Sequence, residues 1–188
     1  MIAKELNISA RELQELINGC LIRNRSCQQK IYNIYSPAMM ALCLRYSKNR
    51  EEAEEVLQDG FLQVYRCIAQ FNYNGSFEGW VRKIMINRAL QRFRGKANQY
   101  NQISLVEEQF FLNTESDLVD RTGEKELIRL IQMLPPACRM VFNLYVFEGM
   151  KHREIAVLLN ITEGTSKSNL YDARKILQKQ LISEFKMA

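Results

Sequence analysis

Apolar residues recur along most of the chain at steps of three and four, the period of helices that bury one face. Ser9-Ala10-Arg11-Glu12 has the form of a capping box and predicts a short first helix ending near Cys20. Ile31, Ile34, Tyr35, Ala38, Leu42 and Tyr46 predict a second between Gln28 and Ser47, with Pro37 kinking it or lying near its start. Asn49 then offers a cap of the Asn-x-x-Glu type. The helix behind it carries Ala53, Val56, Leu57, Phe61, Val64, Tyr65 and Ile68 as its apolar stripe. Phe71 to Ser76 reads as a turn, and Ser76 caps a helix from Phe77 to about Arg94.

The period fades from Gly95 to about Gly123, where Asn, Gln, Ser, Thr and acidic residues dominate, although Leu105 to Leu112 could form a helical turn or two. Between Asn101 and Glu126, Glu107, Glu108, Glu115, Asp117, Asp120, Glu124 and Glu126 face only Arg121 and Lys125, which marks the best linker candidate. Leu127, Leu130, Ile131 and Leu134 begin a second helical set. Pro135 and Pro136 suit the first turn of the next helix, which carries Val141, Phe142, Leu144, Tyr145 and Val146. The expected fold is all-α. Two small helical domains, residues 1–97 and 124–188, are joined by an acidic linker, 98–123, and the second domain contains a helix-turn-helix.

Composition agrees: 188 residues with only 3 Pro and 8 Gly leave few places for helices to break. It also narrows the chemistry. One histidine, His152, has no second imidazole with which to share a metal, and Cys20, Cys27, Cys43, Cys67 and Cys138 contain no Cys-x-x-Cys pair. No cofactor, metal or small-molecule substrate is expected, and no acid-base or nucleophile constellation suggests an enzyme. Scattered, odd-numbered cysteines read as reduced thiols buried as small hydrophobes. With no apolar run approaching the roughly 18 residues of a membrane span, they predict a cytoplasmic protein.

The net charge of +5 means little until its distribution is read. Trp80, Lys83, Asn87, Gln91 and Arg94 share one helix face, between apolar residues on two other sides. Between Ser76 and Tyr100, six cations (Arg82, Lys83, Arg88, Arg92, Arg94 and Lys96) stand against Glu78 alone. Basic and amide side chains beside an indole suit phosphates, base edges and stacked bases; a solvated basic face is the plainer alternative. Glu51, Glu55 and Asp59 lie four apart on the preceding helix. The helix N-terminus explains Glu51 and Glu52, but Asp59 lies too far in and calls for an external basic surface or plain solvent.

The most specific local signal is His152 to Leu159, a short amphipathic helix, followed by the turn Asn160-Ile161-Thr162 and a second helix from Glu163. Ile155, Ala156, Leu159, Ile161 and Leu170 would pack the pair together. Glu163, Gly164, Thr165, Ser166, Lys167, Ser168, Asn169, Tyr171, Arg174 and Lys175 are small, polar or basic, as a helix entering the major groove requires.

The string from Arg45 to Arg94, with Ala53-Glu54-Glu55-Val56-Leu57-Gln58-Asp59 and Phe61, then Trp80 and Asn87, closely resembles region two of the extracytoplasmic-function (ECF) sigma factors of bacterial RNA polymerase. The stretch from Leu134 to Leu181, with Glu154-Ile155-Ala156 and Gly164-Thr165-Ser166-Lys167-Ser168, resembles their region four. The resemblance implies a non-enzymatic subunit that binds core polymerase, recognises the minus-thirty-five and minus-ten elements, melts promoter DNA and initiates transcription. It places Glu54, Glu55, Gln58, Asp59, Phe61 and Gln63 on the clamp helices of the large catalytic subunit. Asn72, Asn74, Ser76, Trp80, Lys83, Asn87, Gln91 and Arg94 would meet the minus-ten element, and the helix from Glu163 to Lys175 the minus-thirty-five element. An anti-sigma factor is the further partner implied. Gln91, Ser166, Asn169 and Asp172 depart from the family's usual Asp, Val, Arg and basic residue, which bears on the promoter sequence and not on the fold. A free-standing helix-turn-helix regulator is the alternative, but it leaves the acidic helix and the Trp80 strip idle.

Overall fold

A computed structural model describes residues 8–100 and 123–185, and among them every regular element is helical. The chain divides into two units, Met1–Ala89 and Leu90–Ala188.

In the first unit, α1 (Ala10–Leu21) opens on the capping box anticipated from its sequence. Ser9 Oγ accepts the Glu12 N–H at 3.2 Å, and the Glu12 carboxylate accepts the Ser9 N–H at 3.0 Å. Caps of this kind stabilise a helix by about 1 kcal/mol. The second helix, α2 (Arg25–Tyr46), opens at Arg25 and not Gln28, because Asn24 Oδ1 accepts the N–H groups of Ser26 and Cys27. Pro37 lies inside α2, on an exposed side shared with Asn33, whose carbonyl it cannot supply with the usual i+4 N–H. Helix α3 (Arg50–Cys67) is capped by Asn49, whose Oδ1 accepts the Glu52 N–H at 3.0 Å, while Glu52 reaches back to the Lys48 N–H at 2.8 Å. A 3-10 turn, Ile68–Gln70, and the loop to Ser76 lead into α4 (Phe77–Tyr100).

Alternating apolar positions lock these helices together. Ile17, Ile31, Met39, Leu42, Ala53, Val64, Val81 and Met85 are essentially inaccessible to water. At Gly60 the Met85 side chain of α4 lies close against α3: a Cβ there would be 2.1 Å from Met85 Sδ. Helix α4 runs past the expected end at Arg94 to Tyr100, so the first residues assigned to the linker are helical. The linker residues 101–122, with the suggested turns at Leu105 to Leu112, lie outside the described residues.

The second unit contains α5 (Gly123–Gln132), α6 (Pro136–Val146), α7 (His152–Leu159) and α8 (Glu163–Phe185). Pro136 occupies the first position of α6, where its missing N–H costs nothing, and Pro135 precedes it as the N-cap residue. Leu130, Ile131, Leu134, Val141, Leu144, Ile155, Leu170 and Ala173 build the core. Helix α7 ends on Asn160 in the left-handed conformation (φ 55°), and the Ile161 N–H returns to the Ala156 carbonyl at 3.0 Å. Thr162 then caps α8 by accepting the Thr165 N–H at 3.0 Å. The turn anticipated between α7 and α8 is therefore present, with Ile155, Ala156, Leu159 and Leu170 buried and Ile161 half-buried. Among the described residues, no helix is long and apolar enough to cross a membrane.

Candidate functional site

Three surfaces carry the residues singled out in the sequence. On α3, Glu55, Gln58 and Asp59 are exposed beside Glu51, and half-buried Glu54 pairs with Arg50 at 2.8 Å. Two neighbours assigned to the same face are drawn into the packing. Phe61 is 2 % exposed, with its ring 4.8 Å from that of Tyr32 and 6.2 Å from that of Tyr65. Gln63 is half-buried, donates to Cys67 Sγ at 2.7 Å and accepts from Arg88, so its amide ties α3 to α4. The helical period explains Phe61, which lies well off the Glu55–Asp59 face; Gln63, four residues beyond Asp59, stands at its edge and is drawn toward α4 by its bond with Arg88. Leu62 is the residue that shares the face, and it is 53 % exposed. Leu62 is three residues beyond Asp59 and four beyond Gln58, the one signal that could have found it.

The second surface is the α4 strip with the loop before it. Lys83, Asn87, Gln91 and Arg94 are exposed in one row, and Val81 and Met85 on the opposite side are buried. Trp80 is half-buried, 5.6 Å from both Phe71 and Phe77 in ring-centroid distance, so the indole belongs to the core and to the strip. Phe71 and Phe77 meet edge to face at 5.1 Å, and Phe77 reaches Tyr35 at 5.4 Å. This aromatic cluster anchors the loop at both ends. Within the loop, Asn72 Oδ1 accepts the Asn74 N–H at 3.1 Å, Gly75 turns at φ 102°, and Ser76 Oγ caps α4 through the Gly79 N–H at 3.0 Å. Asn72, Asn74 and Ser76 are all exposed. So is Tyr73 (50 %), which the sequence reading passed over and which holds φ 62°.

The third surface is the outer side of α8. Glu163, Gly164, Thr165, Lys167, Ser168, Tyr171, Arg174 and Lys175 are exposed. Ser166 is not: it is fully buried, and its Oγ lies 2.9 Å from His152 Nδ1. Its register with Leu170, Ala173 and Leu177 turns it into the helix pair, where it fastens α8 to α7 and cannot meet DNA. Asn169 is half-buried, with Cys138 Sγ 3.6 Å from its Oδ1, and so stands at the edge of the reading face. The His152 ring stacks on Tyr145 at 4.7 Å, and the Arg174 guanidinium lies over the other partner of that stack, 5.7 Å from the Tyr145 centroid. Lys167 bonds Glu163 at 2.7 Å, and this hydrogen bond, with the ammonium charge, holds the Glu163 carboxyl below the usual carboxylate range. Glu163 is thus ionised and an acceptor only, while Lys167 must leave it to reach a phosphate.

Among the described residues, no group of three or more His, Cys, Asp and Glu side chains converges to hold a metal ion. Burial pushes the thiols of Cys20 and Cys43 up, to about 11 and about 12.

Comparison with known proteins supplies the family. Residues 31–99 match the model of Sigma-70 region 2, and residues 124–177 match that of Sigma-70, region 4. The ECF RNA polymerase sigma factor SigW of Bacillus subtilis (strain 168) is 32% identical over 162 residues, covering 80% of this chain and 87% of SigW. The chain belongs to the ECF sigma factor family. RNA polymerase sigma-H factor of Pseudomonas aeruginosa is 26% identical over 158 residues (78% of this chain, 82% of the relative). The ECF sigma-E factor of Escherichia coli (strain K12) is 23% identical over 184 residues (89% and 96%). Among solved structures, the sigma factor RpoE in complex with the anti-sigma factor NepR from Bartonella quintana is similar with a TM-score of 0.47 and 21% identity, over 81% of this chain and 95% of that one. As an ECF sigma factor, the protein is a transcription initiation factor that binds core RNA polymerase and promoter DNA.

Proposed function

We propose that this sigma factor divides its work among the three surfaces. Residues 1–97 act as the region two domain, 98–123 as the linker and 124–188 as the region four domain. Glu54, Glu55, Gln58 and Asp59, with Leu62 among them, dock on the clamp helices of the large catalytic subunit of core polymerase. An exposed row of carboxylates complements a basic surface, and a leucine in its midst adds apolar area that such a contact would bury.

The α4 strip (Trp80, Lys83, Asn87, Gln91 and Arg94) and the loop residues Asn72, Asn74 and Ser76 receive the minus-ten element as it opens. Cations hold the phosphates, amides read base edges, and unstacking of a few kcal/mol per step is offset by stacking on protein. The outer side of α8 lies in the major groove of the minus-thirty-five element. There Lys167, Arg174 and Lys175 serve phosphates and base acceptors, and ionised Glu163 accepts from an exocyclic amine. Polymerase makes the bonds; the sigma factor supplies address and strand opening, in the cytoplasm. An anti-sigma factor that masks these surfaces is the regulatory partner consistent with family membership.

The observation that carries this reading is the exposed acidic face of α3, in the unit that also holds Trp80, Lys83 and Asn87. A free-standing helix-turn-helix regulator would use α7 and α8 and give the α3 face nothing to do. Asp59→Lys reverses one charge at a solvated position, so the fold stays intact and affinity for core polymerase falls tenfold or more in a pull-down titration. Unchanged affinity would remove the α3 face from the docking surface.

A further inference from the structure

Lys167 and Arg174 are exposed cations of α8 that are held in different ways. Lys167 Nζ lies 2.7 Å from the Glu163 carboxylate and has to give up that ion pair to meet another anion. Arg174 lies over an aromatic ring, with its guanidinium carbon 5.7 Å from the Tyr145 centroid. A guanidinium held on a ring face keeps N–H donors at its edge, so this contact and a contact with DNA do not compete. The ring beneath is itself fixed. Tyr145, one residue from the end of α6, is stacked with His152 of α7 at 4.7 Å and 25°, and His152 Nδ1 lies 2.9 Å from the buried Ser166 Oγ of α8. Three helices converge in this way on one half-buried tyrosine. Ser166 stands where the family's usual residue is Val, so the link to His152 belongs to this chain and not to the family pattern.

We infer that Tyr145 is a positioning residue for promoter binding: it holds Arg174 ready for a backbone phosphate of the minus-thirty-five element, and His152, pinned by Ser166, keeps the ring in place. The inference rests on the assignment of the outer side of α8 to that element. Arg174 lies eleven residues beyond Glu163, roughly 16 Å along the helix axis. That is well past the first turn of a recognition helix, whose residues meet base edges, and it suits the phosphates that border the groove. An arginine carries a large rotamer entropy, and holding it before DNA arrives removes part of the ordering cost from the binding step. Tyr145 thereby serves recognition from α6, outside the helix-turn-helix pair.

The test uses holoenzyme assembled from the full chain and core polymerase. The probe is a promoter that requires its upstream element, drawn from a randomised library by transcription with the parent holoenzyme. Arg174→Ala should weaken promoter binding roughly tenfold and lower the log-log salt slope by about 0.9. Tyr145→Leu should cost about twofold to fivefold, and Tyr145→Phe, which keeps the ring face, should cost nothing. His152→Phe keeps a stacked ring without the Ser166 bond and should give a smaller loss than Tyr145→Leu. In the Arg174→Ala background neither Tyr145→Leu nor His152→Phe should cost anything further, whereas a general loss of folding would cost the same in both backgrounds. Equal losses with and without Arg174 would overturn the positioning role, and an unchanged slope for Arg174→Ala would overturn the phosphate contact. Lys167→Ala/Lys175→Ala separates the two levels. If that variant loses promoter affinity while the Arg174 and Tyr145 variants do not, this inference falls and the minus-thirty-five assignment stands; if none loses affinity, both fall.

Discussion

Ser166 shows how far one position of helical register matters. Every neighbour from Glu163 to Lys167 is small, polar or charged and exposed, so the string reads as a continuous recognition surface, yet Ser166 points inward to His152. Composition alone could not separate it; the period it shares with Leu170, Ala173 and Leu177 could. Ser166→Ala should therefore lower the stability of the helix-turn-helix by about 1 kcal/mol, the net worth of one buried hydrogen bond, as read by urea denaturation. Lys167→Ala should leave stability unchanged and reduce transcription only from promoters that depend on the upstream element. The cysteines make a second residue-scale case. Cys20, Cys43 and Cys138 are buried with thiols pushed up by burial, whereas Cys27 and Cys67 are half-buried. Alkylation of the native protein at pH 8, followed by mass spectrometry, should mark Cys27 and Cys67 well before the other three. Since the folded values of Cys20 and Cys43 lie above the ordinary thiol value of 9.0, the stability linked to their protons is complete below pH 9. It declines as pH rises through 11 and 12.

At the scale of elements, start signals were more legible than stop signals. Ser9, Asn49, Ser76 and Thr162 each cap the helix expected of them, because a short oxygen-bearing side chain before an apolar period has a local cause and a local effect. The end of α4 had no such marker. Apolar spacing fades after Arg94, but Gly95 to Tyr100 contain no proline, and the helix continues through them. The family resemblance puts Phe61 and Gln63 with the acidic face, while in the structure Phe61 packs on Tyr32 and Gln63 bonds Arg88. The contact of Tyr73 with Gln14 spans 59 positions and has no local signal in the sequence. The α4 strip was legible in full, since its spacing alone puts Lys83, Asn87, Gln91 and Arg94 in one exposed row. That row makes a quantitative prediction. Lys83→Ala/Arg94→Ala should weaken open-complex formation and flatten its dependence on salt, each lost phosphate contact removing about 0.9 from the log-log slope on duplex and about 0.7 on single strands. An unaltered slope would take both cations off the phosphate backbone.

For the whole molecule, the net charge of +5 is a near-cancellation and not a uniform field. Carboxylates concentrate on α3 and between Asn101 and Glu126, and cations on α4 and the outer side of α8. A chain that must hold a polymerase with one part and DNA with two others needs this segregation, because a single sign throughout would weaken one of the contacts. If these surfaces together turn core polymerase into a promoter-specific enzyme, run-off transcription with purified core polymerase and this sigma factor on a library of promoters will show it. Initiation is expected from a distinct subset sharing upstream and downstream elements, and should be lost with Asp59→Lys at limiting protein. Tight DNA binding by the isolated chain, with no promoter-specific initiation when core polymerase is present, would contradict that role.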